Sequence, residues 1–150
     1  MRKKILGISL LIIIFLSGYL IYERTKYTTY QETLKNYIGE GEIIKIRILH
    51  SPYIYKPEEN YYADREVIIE DKDFFKKFIT EPSNMKIRKV RDIPPVDYHI
   101  AIYTEQSMNP HWIYMSDGYL TIDGLYKING DNKLKDLIEK ADLNWNIDEW

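Results

Sequence analysis

Cysteine is absent from all 150 residues of the chain, and its absence excludes several kinds of site. There is no disulfide framework, no thiolate zinc site, no cysteine nucleophile and no lipobox cysteine for acylation. A cysteine-free domain is compatible with the outer face of a bacterial membrane, where a free thiol would be oxidised.

The common catalytic signatures are also missing. Neither G-x-S-x-G nor H-E-x-x-H occurs, and no glycine-rich loop of the phosphate-binding kind precedes a helix. The three histidines, His50, His99 and His111, are far apart, so only the fold could gather them around a zinc ion. The sequence therefore predicts no catalytic residue, no metal site and no cofactor, and a protein that is not an enzyme.

Acidic side chains outnumber basic ones outside the N-terminal segment. Residues 1–26 contain five basic side chains against Glu23, a net charge of +4, so residues 27–150 carry −6 of the total of −2. Because nucleic acid binding relies on basic surfaces, this balance predicts no nucleic acid partner.

One long apolar run stands near the start of the chain. Residues 5–22 contain no charged residue, no Asn, no Gln and no Pro. As a helix the run is roughly 27 Å long, close to the ~30 Å hydrocarbon core of a bilayer, which predicts a transmembrane anchor and a membrane partner through residues 5–22. Arg2, Lys3 and Lys4 place the N-terminus in the cytoplasm and the domain outside the cell membrane. A cleaved signal peptide is the alternative, although its apolar region is usually shorter and followed by small residues.

Period-two patterns predict strands in the remainder. Alternating apolar residues favour strands over residues 42–50 and 96–105, with His99 on the face opposite the apolar side chains of the second one. Asp-Gly at 117–118 and at 123–124 predicts type I′ turns and a three-strand meander.

Helical periodicity appears in three segments. The apolar residues of 27–38 form one stripe, which predicts a helix continuing out of the membrane. Residues 71–81 and 133–141 are predicted as helices that cover the sheet, the second of them capped by Asp131 or Asn132.

Together these patterns predict an α+β fold. It has a mostly antiparallel sheet of about six strands with two covering helices, preceded by one N-terminal transmembrane helix. The predicted segments are a cytoplasmic basic tip (1–4), the anchor (5–22), a juxtamembrane helix or linker (23–41), an extracytoplasmic domain (42–143) and a C-terminal tail (144–150).

Two stretches are candidate partner surfaces. The first is a long loop over residues 51–64 that contains Tyr53, Tyr55, Tyr61 and Tyr62, because long loops in compact domains are often functional. The second is a basic strip in the otherwise acidic domain, which could meet an anionic polymer or an acidic protein. An edge strand protected by its charges is the alternative interpretation of this strip. Its members are Lys86, Arg88, Lys89 and Arg91.

The C-terminal half resembles a group of small extracytoplasmic domains from Gram-positive bacteria, which are lipoproteins or have a single anchor. The resemblance is carried by the strand VDYHIAIYT, a W-I-Y strand, turns at SDG and IDG, the LYKING strand and a short last helix. It implies a domain of the cell envelope without catalytic residues to transfer.

Three functions remain open. The favoured one is a membrane-anchored binding or accessory module of the cell envelope, with a protein or envelope-polymer partner. The alternatives are an immunity or inhibitor protein that neutralises a toxin at the membrane, and an envelope hydrolase with a carboxylate pair that no local motif reveals.

Overall fold

The computed structural model describes residues 2–51, 64–91 and 95–148, with side chains for residues 12–23, 26–51, 64–91 and 95–146. Its helices are α1 (Arg2–Thr25), α2 (Tyr30–Ile38), α3 (Lys72–Thr80) and α4 (Lys133–Lys140). Its strands are β1 (Tyr27–Thr29), β2 (Ile43–His50), β3 (Asp64–Ile69), β4 (Lys86–Lys89), β5 (Tyr98–Thr104), β6 (His111–Met115), β7 (Tyr119–Thr121), β8 (Leu125–Asn129) and β9 (Asn146–Asp148).

All nine strands belong to one sheet in the order β1-β4-β8-β7-β6-β5-β2-β3-β9, and every pair is antiparallel. The α+β class is therefore as predicted, but the numbers of about six strands and two covering helices are wrong. The difference arises at the two edges, where β1 and β9 each add three residues, and at α2, which packs into the core.

The structure contradicts the predicted transmembrane helix over residues 5–22. Within the part of the chain that it describes, no helix is both long enough and apolar enough to cross a membrane. The stretch of α1 with described side chains, residues 12–23, makes roughly 18 Å of helix, against about 30 Å of hydrocarbon.

One face of the sheet is covered by helices and holds the core. Because strand side chains alternate, Ile46 and Ile48 of β2 point to the same face as Ile100 and Ile102 of β5, and all four are fully buried. Each covering helix contributes a short apolar stripe to this core, as an amphipathic surface helix does. The stripes are Tyr30 and Leu34 in α2; Phe74, Phe75 and Phe78 in α3; and Leu134, Leu137 and Ile138 in α4.

Polar side chains cap the covering helices. The Thr29 hydroxyl accepts a hydrogen bond from the backbone N–H of Glu32 at 3.3 Å, and an Asp71 carboxylate oxygen accepts one from Asp73 at 3.0 Å. Asn132, rather than Asp131, caps α4. These bonds satisfy backbone donors that the first turn of a helix leaves free.

The meander of β6, β7 and β8 forms as predicted, but its turns are not of type I′. Neither Gly118 nor Gly124 adopts the left-handed conformation, which in the described glycines occurs at Gly39 and Gly130. The turn between β6 and β7 is closed by a backbone hydrogen bond from the Ser116 N–H to the Tyr119 carbonyl at 3.1 Å.

The C-terminal tail returns to the sheet. β9 pairs with β3, and Trp145 packs against the core next to His50. The Arg65 guanidinium carbon lies 4.5 Å from the centroid of the Trp145 ring, a cation–π contact. Trp150 lies outside the described residues.

Candidate functional site

The second face of the sheet has no helix packed on it within the described residues, and its centre is aromatic. Trp112 and Tyr114 of β6 have nearly parallel rings, at 10° and 6.2 Å between centroids. The ring of Tyr114 meets His99 of β5 edge to face at 5.3 Å. Trp112 is 37% exposed, although indole rings are among the larger apolar groups of a protein.

Charged side chains border these rings. Arg47 of β2 donates two hydrogen bonds to the Glu66 carboxylate, at 2.6 and 2.8 Å, and this contact lowers the pKa of Glu66. The Lys45 ammonium lies 4.1 Å from the centroid of the Tyr103 ring. We call Arg47, His99, Tyr103, Trp112 and Tyr114 the aromatic face.

The sequence placed His99 on this side of its strand but did not identify the aromatic face. The available signal was the phase of alternation in β6, where Ile113 and Met115 are buried and Trp112 and Tyr114 are not. Strand alternation does not say which rings of different strands become neighbours, because that depends on sheet order.

The predicted surface residues Tyr53, Tyr55, Tyr61 and Tyr62 lie outside the described residues. The segment that contains them connects β2, which ends at His50, to β3, which begins at Asp64. It therefore joins the sheet at the end where Trp145 packs.

The predicted basic strip is only partly assembled. Lys86 and Arg88 of β4 project from the same side of the sheet as the aromatic face, whereas Lys89 points to the other side of the strand. Arg91 is exposed just beyond it. β4 lies between β1 and β8, so it is not the edge strand that one interpretation required, and β8 and β7 separate it from the aromatic face.

The histidines do not meet. His50 points to the helix-covered face and His99 to the other one, while the His111 ring lies edge to face with Tyr37 at 5.3 Å. Among the described residues, no group of His, Asp and Glu side chains could hold a metal ion.

His50 takes part in a second polar cluster at the end of the sheet. Its ring stacks on Tyr98 at 4.2 Å, and its Nδ1 accepts a hydrogen bond from Arg65 Nε at 2.9 Å. The Tyr98 hydroxyl donates to Glu139 of α4 at 3.1 Å. Burial and the Arg65 charge lower the pKa of His50 to about 4, and burial and Glu139 raise the pKa of Tyr98 to about 12.

The His50 pKa predicts a pH-dependent stability. Between the ordinary histidine pKa of 6.5 and about 4, the unfolded chain binds a proton that the folded chain does not, so stability falls as pH falls through this window. Because His50 is only half-buried, solvent screens its charge, and we expect the free energy of unfolding to fall by about 1 kcal/mol between about pH 7 and about pH 5. His50→Asn keeps an acceptor for Arg65 and should flatten this dependence in urea unfolding. His99→Asn is the control and should retain it; equal slopes for all three proteins would contradict the assignment.

Two carboxylates near this cluster could suit hydrolysis, but their surroundings are open. Burial, with a contribution from Asp117, raises the pKa of Asp97. The Asp117 side chain is 82% exposed and forms an ion pair with Lys135. An exposed, paired carboxylate lacks the water-excluding surroundings that strengthen electrostatic catalysis.

The sequence does contain one common catalytic spacing, S-x-x-K from Ser83 to Lys86, so the prediction that such signatures are missing is wrong for this motif. In enzymes that use this motif, a serine nucleophile and a lysine act together. Here Ser83 lies in the turn after α3, with its N–H on the Thr80 carbonyl, and Lys86 begins β4. The two residues therefore do not share a helix face, where residues three apart are neighbours.

Two grooves lie between the helices on the covered side. The groove between α3 and α4 has a volume of about 710 Å³ and a mixed lining of acidic and basic side chains around Phe74. The groove between α2 and α3, of about 560 Å³, has an apolar floor that includes Leu34, Phe75 and Ile79. Neither contains a residue of the predicted surfaces.

No family model, curated protein or solved structure matches this chain in comparisons of sequence and structure.

Proposed function

We propose that the chain is a non-catalytic binding module held at a membrane, and that its aromatic face contacts a protein partner. The observation that carries the proposal is the composition of this uncovered surface. Trp, Tyr and Arg dominate the binding energy of protein interfaces, and neighbouring strands present such side chains on the same side of the sheet here: Trp112, Tyr114, Tyr103 and Arg47.

A protein partner fits these rings better than a regular polymer. Trp112 and Tyr114 stack on one another, so part of their flat surface is already used. In the neighbouring Arg47–Glu66 pair the side chains are 43% and 20% exposed, so the pair can exchange partners with charged groups of another protein. An envelope polymer is the other partner class, and the experiment below separates the two.

The membrane location is supported by α1. Its large apolar side chains are exposed around the helix, with Ile13 at 58%, Phe15 at 77% and Leu20 at 62%. An apolar surface of this kind marks contact with a membrane or a protein. The basic side chains of residues 2–4 favour contact with an anionic membrane surface.

Site-specific photo-crosslinking in intact cells tests the contact surface. Ile68 lies on the same side of the sheet as Arg47, its cross-strand neighbour, and is 54% exposed, so a photoreactive amino acid there should form an adduct of one defined protein mass. The same amino acid at Lys76, on the exposed side of α3, should form none.

The second arm of the experiment removes the exposed indole ring of the aromatic face. Trp112→Ala should reduce the Ile68 adduct by about tenfold or more, as expected for an interface hot spot. Ile44→Ala, at an apolar side chain that is 49% exposed, should leave the adduct unchanged. Adducts from both faces, from neither face, or of polysaccharide rather than protein would contradict the proposal.

A further inference from the structure

The fold places the basic strip next to the C-terminal end of α1. β1 follows α1 directly and pairs with β4, so that Tyr27 lies opposite Arg88 and Thr29 opposite Lys86. The backbone N–H of Lys89 also donates to the Lys26 carbonyl at 3.3 Å. β4, although distant in sequence, thus pairs with residues that directly follow the exposed apolar helix.

Two cations of this region share a hollow. Arg88 and Lys127 are cross-strand neighbours in β4 and β8, and with Tyr27, Ile128 and Asn129 they line a cavity of about 200 Å³. Both cations are exposed, and neither forms an ion pair with a described residue. We call this cavity the cationic hollow.

The acidic side chains near this cavity contact other groups. Lys26 pairs with Glu23 at 2.5 Å and lies 4.3 Å from the Tyr22 ring centroid, at the junction of α1 and β1. Glu32 borders a neighbouring cavity together with Lys86, and it accepts a hydrogen bond from Thr28. Glu32 is therefore beside Lys86, whereas the part of the surface that contains Arg88 and Lys127 is basic.

We propose that the cationic hollow binds the phosphates of anionic phospholipid headgroups. The inference rests on the membrane location proposed above, because the hollow lies where α1 joins the sheet. Tyr19 and Tyr22, 60% and 61% exposed, continue the apolar surface of α1 up to Lys26. Lipid headgroups would then lie level with Arg88 and Lys127, and the domain would rest on the membrane.

The lack of cysteine allows this to be tested on the full chain with single labels. An environment-sensitive fluorophore is placed at Asn129→Cys in the hollow, at Leu16→Cys in α1, or at Ile68→Cys near the opposite edge of the sheet. Vesicles contain phosphatidylcholine alone or with phosphatidylglycerol, and some lipids carry a quencher, on the headgroup for the Asn129 and Ile68 labels and on the acyl chain for the Leu16 label. We expect the Asn129 label to be quenched only with phosphatidylglycerol, the Leu16 label in both vesicles, and the Ile68 label in neither.

Charge variants give the expected magnitude. We call the state in which the cationic hollow contacts the headgroups docked. Each cation close to an anionic leaflet favours this state about fivefold, so Arg88→Gln with Lys127→Gln should lower the ratio of docked to undocked protein about 25-fold. Arg88→Lys with Lys127→Arg keeps both charges and should retain docking. Lys77→Gln with Lys133→Gln removes the same charge from the helix side and should have no effect.

The outcomes separate this inference from the proposed function. An unquenched Leu16 label would overturn the membrane location itself. A quenched Leu16 label with an unquenched Asn129 label would overturn the headgroup site alone. If inorganic phosphate without vesicles changes the Asn129 emission to the same extent, the hollow binds free phosphate and the lipid proposal is overturned.

Discussion

Phe78→Ala is expected to lower the free energy of unfolding by about 3–5 kcal/mol, the largest effect of any single change considered for this domain. Phe78 is fully buried in α3. Its ring meets Tyr30 of α2 edge to face at 6.3 Å and lies 6.3 Å from Phe74. Truncation therefore removes buried apolar surface and leaves a cavity where two helices meet the sheet.

Urea unfolding, followed by tryptophan fluorescence, measures this effect. Phe78→Leu preserves most of the volume and should lose no more than about 1.5 kcal/mol. Ile68→Ala removes an apolar side chain that is already 54% exposed, and should lose less than about 1 kcal/mol. If Phe78→Ala is no less stable than Ile68→Ala, the Phe78 ring of α3 does not contribute to the core as its burial indicates.

The elements that depend on local chemistry were predictable from the sequence. α3 is set by Asp71 at its start and by phenylalanines at helical spacing, and these residues act in the structure as the pattern indicated. β5 likewise has its alternating residues on the predicted faces. In both cases the cap or the alternation is complete within a few neighbouring residues.

Elements formed by distant partners were not predictable in this way. Tyr27 fits the helical stripe of the next residues, yet it begins β1, because β4 offers a strand partner and Thr29 caps α2. β9 depends in the same way on β3. Pairing of this kind is decided by tertiary context rather than by propensity.

The same reason explains the candidate surfaces. The basic residues of β4 were visible in the sequence, but their neighbour Lys127 in β8 is supplied by sheet order. The aromatic face required β5 and β6 in register, which brings His99 opposite Tyr114. A surface assembled from alternate residues of several strands has no compact sequence motif.

Asn132→Ala is expected to lower the free energy of unfolding by about 2–3 kcal/mol, because one buried side chain makes two different connections. Its carbonyl oxygen accepts a hydrogen bond from the Lys135 N–H at 3.1 Å and caps α4. Its amide nitrogen donates to the Ser116 carbonyl at 2.9 Å and to the Asp117 carbonyl at 3.3 Å, so it ties the helix to the turn between β6 and β7.

Substitution by aspartate separates these two roles. Asn132→Asp keeps the cap and adds a favourable negative charge at the helix N-terminus, but it loses the donor and places a carboxylate oxygen near two carbonyls. We therefore expect urea unfolding to rank stability as wild type, then Asn132→Asp, then Asn132→Ala. Asp71→Ala removes a cap of α3 and should cost about 1 kcal/mol. An Asn132→Asp protein as stable as wild type would mean that Asn132 only caps α4, and that the ion pair between Lys135 and Asp117 holds the helix to the turn.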